Sequence, residues 1–240
     1  MEDFNEKELR AWVSDSAEEI NKILKDEGFE LQLRNLKPGE TAFLSILKIL
    51  LKWLNPGIEC TIQSPGDTKS YLGVEIEEGF QVINSVKTDN PIICVNSENG
   101  DQVFMTIADE ELKDFDLFEK IKLIHHNSHV RSCNTSTVRF PMVDFDQQPD
   151  ISWLQGMKHP EAVNITRAMQ QTKFKMNEKG ALLESAAVIV TYKCGPITQP
   201  TVITINQPFY LWIKRPRVSL PILCAYMDTD VWSKPDLDIE

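Results

Sequence analysis

The sequence predicts an α+β fold built mainly on antiparallel sheet. Three observations carry this expectation. Short runs of alternating or apolar residues, separated by turn residues, fill Ile58 to Ala108 and most of the last third. Helical periodicity is confined to two stretches, Glu6 to Lys25 and Asp109 to Ile124. There is no internal repeat, low-complexity tract or linker, so residues 1–240 read as a single domain.

The elements follow in order. In Glu6 to Lys25, Leu9, Trp12, Val13, Ile20, Ile23 and Leu24 recur at helical spacing. Asn5 with Glu8 has the form of a capping box, and Gly28 sits where a glycine commonly ends a helix. Phe29 to Leu33 alternates as a short strand or loop, and Lys37-Pro38-Gly39 is a turn. Thr41 to Leu54 is locally ambiguous: its leucines and lysines favour helix, while a buried strand is also apolar on both faces. Asn55-Pro56-Gly57 ends it either way. Tyr71 to Ile76, Gln81 to Ile83, Ile92 to Val95 and Val103 to Ile107 read as strands, with Asn99-Gly100-Asp101 closing a hairpin. Asp109 to Ile124 places Leu112, Phe115, Phe118 and Ile121 roughly on one helical face.

His125 to Thr135 is a polar loop, Thr137 to Phe145 is extended, and Asp150 to Met157 suits a helical turn. Ala168 to Met176 alternates as a strand, and Asn177-Glu178-Lys179-Gly180 is a turn. Thr201 to Ile205, Phe209 to Lys214 and Pro221 to Met227 are three further strands. The tail from Trp232 to Glu240 is acidic and reads as frayed.

The composition narrows the function classes. With 42% hydrophobic and 25% charged residues the chain can bury a sizeable core without disulfides. A net charge of -11 repels phosphate backbones and argues against nucleic-acid binding. Cys60, Cys94, Cys133, Cys194 and Cys224 are scattered and form no CxxC pair. Met1 to Arg10 is acidic and polar, unlike a secretory leader, so a cytoplasmic location is expected. Ala42 to Leu54 is interrupted by Ser45, Lys48 and Lys52, which leaves no membrane span.

Catalytic signals are weak, and the chain is not read as an enzyme. A cysteine nucleophile needs an adjacent base, and the histidines are only His125, His126, His129 and His159. The spacing of His125, His126 and His129 with Cys133 is loosely metal-like but lacks paired ligand ends, so a solvated loop is expected and no metal is assigned. Asp144, Asp146 and Asp150 lack the glycine and distal glutamate of a calcium loop. Nucleotide and hydrolase motifs of the GxGxxG, GxxxxGK[ST] and GxSxG types do not occur, and no cofactor is expected.

The segment Phe174-Lys175-Met176-Asn177-Glu178-Lys179-Gly180-Ala181, continuing to Ser185-Ala186-Ala187-Val188, resembles the end of a central strand and the reactive-loop hinge of the serpin family. Asn206-Gln207-Pro208-Phe209-Tyr210-Leu211-Trp212-Ile213 is similar to that family's closing strand, and Pro221 to Tyr226 to its final one. Upstream, Ala11-Trp12-Val13 with Ile20 and Leu24 resembles the helix lying across the main sheet. Leu44 to Trp53 resembles the strand after it, and Val138 to Met142 a strand on the opposite side. The match covers the later part of the family's domain, without its early helices.

The resemblance implies a partial serpin-like α+β fold. It implies a hinge at Gly180, Ala181, Leu183, Ser185 and Ala187, whose alternate residues turn inward when the segment joins the sheet. It implies a scissile region at Lys193, Cys194, Gly195 and Ile197. Gln170 stands where the family commonly has a histidine and Ser45 where it has an asparagine, which makes them a sheet-opening polar pair. Leu183 is large for a tight inward position. The expected function is a non-inhibitory or degenerate serpin-like binding protein acting through an exposed loop at about Val190 to Pro200. The alternative is an intracellular serpin-type inhibitor of a serine or cysteine protease. The expected partner is a protein, a protease among the candidates. A homo-oligomer or companion chain is expected through a sheet edge left open.

Overall fold

The computed structural model describes residues 4–130, 135–157, 165–182, 201–237 and 239. It is an α+β fold with several sheets, mostly antiparallel, and two α-helices. By contacts it forms two compact units. One comprises Met1–Lys48 with Phe145–Lys173, the other Ile49–Asp144 with Phe174–Glu240.

In the smaller unit, β1 (Leu9–Ser14) pairs antiparallel with β2 (Ala42–Leu47), with Trp12 opposite Leu44. Helix α1 (Ala17–Asp26) buries Ala17, Ile20 and Leu24. The helix is therefore shorter than its sequence periodicity suggested, because Leu9, Trp12 and Val13 are strand residues. The Asn5–Glu8 capping box does form, with Glu8 N–H donating to Asn5 Oδ1 and Asn5 N–H to Glu8 Oε2. It closes an isolated turn, after which the β-favouring Trp12-Val13 pairs with β2. The helix itself starts at Ser16, whose hydroxyl accepts from Glu19 N–H. Its end does follow the glycine: Gly28 has φ 81°, Gly28 N–H donates to Lys25 and Phe29 N–H to Leu24. Just before it, Glu27 accepts from Arg10 at 2.6 Å and Lys48 at 2.7 Å. These two cations, Arg10 first, hold its carboxyl below the usual range.

The larger unit carries most of the sheet. Its strands are β3 (Leu51–Lys52), β4 (Ile58–Gln63), β5 (Ser70–Ile76), β6 (Phe80–Ser85), β7 (Thr88–Asn96) and β8 (Gln102–Ile107). They continue, after helix α2 (Asp114–His126), with β9 (Ser128–Val130), β10 (Thr135–Pro141), β11 (Val143–Gln147), β12 (Thr172–Met176), β13 (Gly180–Leu182), β14 (Thr201–Thr204), β15 (Phe209–Lys214) and β16 (Leu223–Met227). Strands β11 and β12 begin or end in the smaller unit. The Thr41 to Leu54 ambiguity resolves as extended chain, β2 and then β3.

Three sheets result. The first runs β14-β10-β5-β4, with β14 and β10 parallel. The second runs β11-β12-β13-β3. The third has six strands, β16-β15-β8-β7-β6-β9. Its β7–β8 connection is the expected hairpin, closed by Ser97 N–H donating to the Asp101 carbonyl.

Helix α2 covers that six-stranded sheet with Leu117, Ile121 and Ile124, against Phe104, Tyr210 and Trp212. Of the face read from sequence only Ile121 is fully buried, and Phe115 is 60% exposed. The i, i+4, i+7 stripe one position further round is the one that meets the sheet. The Trp212 indole N–H donates to His125 Nδ1 at 3.3 Å, and Phe104 stacks on Trp212. So His125 belongs to the helix rather than to a loop, and β9 takes up part of the remainder.

The acidic tail is not frayed. Trp232 is 3% exposed and set edge-on to Tyr71, and Ile239 is 2% exposed. The aromatic and aliphatic side chains outweigh the surrounding carboxylates.

Two outcomes follow from this packing. Arg215 grips Asp101 through Nε and Nη2 at 2.8–3.3 Å, and both side chains are buried. Asp101→Ala, by removing the buried carboxylate that the guanidinium grips, should lower unfolding stability in urea by about 3–5 kcal/mol. Burial first, then the charges of Lys214 and His126, hold His125 below its ordinary 6.5. The unfolded chain therefore takes up this proton at higher pH than the folded one. The His125 contribution to stability should be complete above about pH 6.5 and lost as pH falls below it. Urea midpoints across pH should show a smaller acid-side decline for His125→Gln than for the parent chain.

Candidate functional site

The site is built on the chain reversal between β12 and β13. In β12, Phe174 and Met176 turn inward while Lys173 and Lys175 point outward, as period-2 alternation requires. Asn177 then makes the turn. Its Oδ1 accepts from Lys179 N–H at 3.0 Å and Gly180 N–H at 3.2 Å, and its own N–H donates to the Gly180 carbonyl at 2.9 Å. Asn177 Nδ2 donates to the Leu237 carbonyl at 3.0 Å, which ties the turn to the tail.

From the other side, residues 53–57 hold the same turn. The fully buried Trp53 donates its indole N–H to the Asn177 carbonyl at 2.9 Å and its backbone N–H to Lys179 at 3.0 Å. Gly57 N–H donates to the Glu178 carbonyl at 2.7 Å.

Gly180 and Ala181 leave this turn as the start of β13, the inner strand between β12 and β3. Ala181 is opposite Met176 on one side and Leu51 on the other. All three are fully buried, while Leu182 is 39% exposed. Ala181 is thus the inward residue of β13 and Leu182 the outward one. Gly180 is fixed by close approach: a Cβ there would lie 2.0 Å from the Leu51 carbonyl oxygen. No side chain, however small, fits without moving β13 or β3.

Leu183, Ser185 and Ala187 of the hinge, and Lys193, Cys194, Gly195 and Ile197 of the scissile region, lie outside the described residues. Ser45 is an exposed residue of β2, opposite Ala11. Gln170 is exposed and donates to Thr172 Oγ1 at 3.2 Å. No hydrogen bond joins Ser45 to Gln170 among the described residues. The residues that the sequence reading passed over are Asn177 and Trp53 in their joint role. The signal was present in the asparagine that opens Asn-Glu-Lys-Gly, since asparagine side chains commonly cap turns.

The remaining chemistry is quiet. Cys94 and Cys224 are free, and burial pushes both thiols up to about 12, far from thiolate reactivity. His126 and His129 are exposed, and Cys133 lies outside the described residues. Among the described residues no three His, Cys, Asp or Glu side chains converge on a metal-sized site. No described helix is long and apolar enough to cross a membrane.

A reversal that enters an inner sheet position, followed by strands that close two other sheets, defines a partial serpin fold. Solved serpins share it at low identity. An insect serpin from Tenebrio molitor superimposes with a TM-score of 0.54 at 15% identity, covering 88% of this chain and 64% of the other. The mouse protein-Z-dependent protease inhibitor gives 0.55 at 14%, covering 84% and 59%. Human thyroxine-binding globulin complexed with thyroxine gives 0.53 at 12%, covering 93% and 76%. The chain thus spans 64% and 59% of the first two. No protein-family model and no curated protein matches the sequence.

Gly180→Ala tests the seat of β13. It should cost about 1–3 kcal/mol of stability through overpacking. Backbone amide exchange at Ala181 and Leu182 should rise while that of β15 stays protected.

Proposed function

We propose that this chain is a serpin-like binding protein that contacts a protein partner through the segment after Leu182, about Val190 to Pro200. The observation that carries this reading is β13. Gly180 to Leu182 already occupies an inner sheet position, fastened by Trp53 and Asn177. A loop with so firm a base suits recognition, because less ordering is left to do on binding. The fold is also compatible with roles beyond inhibition: one neighbour is named a protease inhibitor and another is complexed with thyroxine.

A second reading, inhibition by insertion of the cut loop, has its own support in the register. Continuing the pairing of β13 with β12 carries Leu183 to Phe174. Continuing its pairing with β3 carries Leu183 to Ile49. Phe174 and Ile49 are buried and apolar, a setting that accepts a leucine. Against it, β3 is only two residues long and offers a short ladder to an incoming strand.

Incubation with a panel of serine and cysteine proteases separates the two. The binding reading expects cleavage between Lys193 and Ile197 with no denaturant-resistant adduct and no rise in Tm. A covalent adduct on a denaturing gel, or a cut chain that melts well above the intact one, would establish the inhibitor instead.

A further inference from the structure

We infer that two copies of this chain associate through the open edge of β16, antiparallel and about a two-fold axis. This does not rest on the loop reading. Unprotected strand edges pair with other chains, and proteins blunt them with charge, proline or brevity. In the larger unit β4 carries Glu59, which binds Lys234, while β3, β9 and β14 are only two to four residues long. The edge strand β16 has none of these defences. It reads Leu-Cys-Ala-Tyr-Met, with β15 on one side and no described strand on the other. Its two faces are already used: Ala225 and Met227 are buried, and Cys224 and Tyr226 pack towards α2. Among the described residues no strand pairs with the backbone along its outer edge.

The ends of the strand choose the occupant. Before β16 the connecting turn carries Arg217, exposed at φ 76°. After β16 come Asp228 and the exposed Asp230. A second β16 laid antiparallel sets the basic end of each copy against the acidic end of the other, twice, as an isologous contact requires. A parallel neighbour would set like charge on like charge. An unrelated peptide would need the same opposed polarity, which this chain already supplies. The contact works against a net charge of -11 on each copy, so these local attractions decide whether it forms.

The test is sedimentation velocity on the full chain and on Arg217→Glu and Asp230→Arg, with circular dichroism to confirm that each variant keeps its fold. The parent chain should dimerise. Each variant alone sets like charges together at both ends, and its dissociation constant should rise roughly tenfold or more. An equimolar mixture of the two should recover the parent affinity, since opposite charges then meet at both ends. A parent chain that stays monomeric, a dimer indifferent to both substitutions, or a mixture that fails to recover would each overturn the assignment.

Discussion

The inner position of β13 depends on one buried asparagine. Asn177 is 4% exposed and spends its side chain on three backbone partners: the amides of Lys179 and Gly180, and the carbonyl of Leu237. Its main-chain carbonyl takes the Trp53 indole. A buried polar side chain is tolerable only when its hydrogen bonds are made, and here they are made to two stretches of chain, Lys179-Gly180 and Leu237. The reversal therefore has one available geometry. From it follow the seating of Ala181 between Met176 and Leu51 and the intolerance of any Cβ at Gly180.

The parts of the fold legible in the sequence are those settled by local chemistry. The asparagine-glycine hairpin, the glycine after α1, the strands of the six-stranded sheet other than β9 and the reversal at Asn177–Gly180 announce themselves through turn residues and period. What was not legible is decided by distant packing. Trp12 and Val13 fit a helical stripe equally well, and only β2 makes them a strand. The choice between Phe115 and Leu117 on α2 is a rotation of the helix that the opposing aromatic residues set. The tail looks dispensable by charge, yet Trp232 and Ile239 are buried. Of the site, Gly180 and Ala181 were legible because a hinge resemblance points at them. Trp53 in its holding role was not, since its partner lies 124 residues away.

Charge and burial divide the surface of the larger unit. The ionised pair it keeps inside, Arg215 with Asp101, is bidentate and closes the hairpin end of the six-stranded sheet. The thiols that could bring reactivity, Cys94 and Cys224, are held as neutral thiols by apolar surroundings. The relatives in shape are named for quite different ligands.

Strand β15 lies between β16 and β8, pairing with both over five and six residues. It follows the segment after Leu182 in sequence, yet it lies inside a sheet whose other strands, β16 aside, come from the chain before that segment. A nick between Leu182 and Thr201 would therefore not shed the C-terminal piece, because β14, β15 and β16 would stay woven into sheets made by the N-terminal piece.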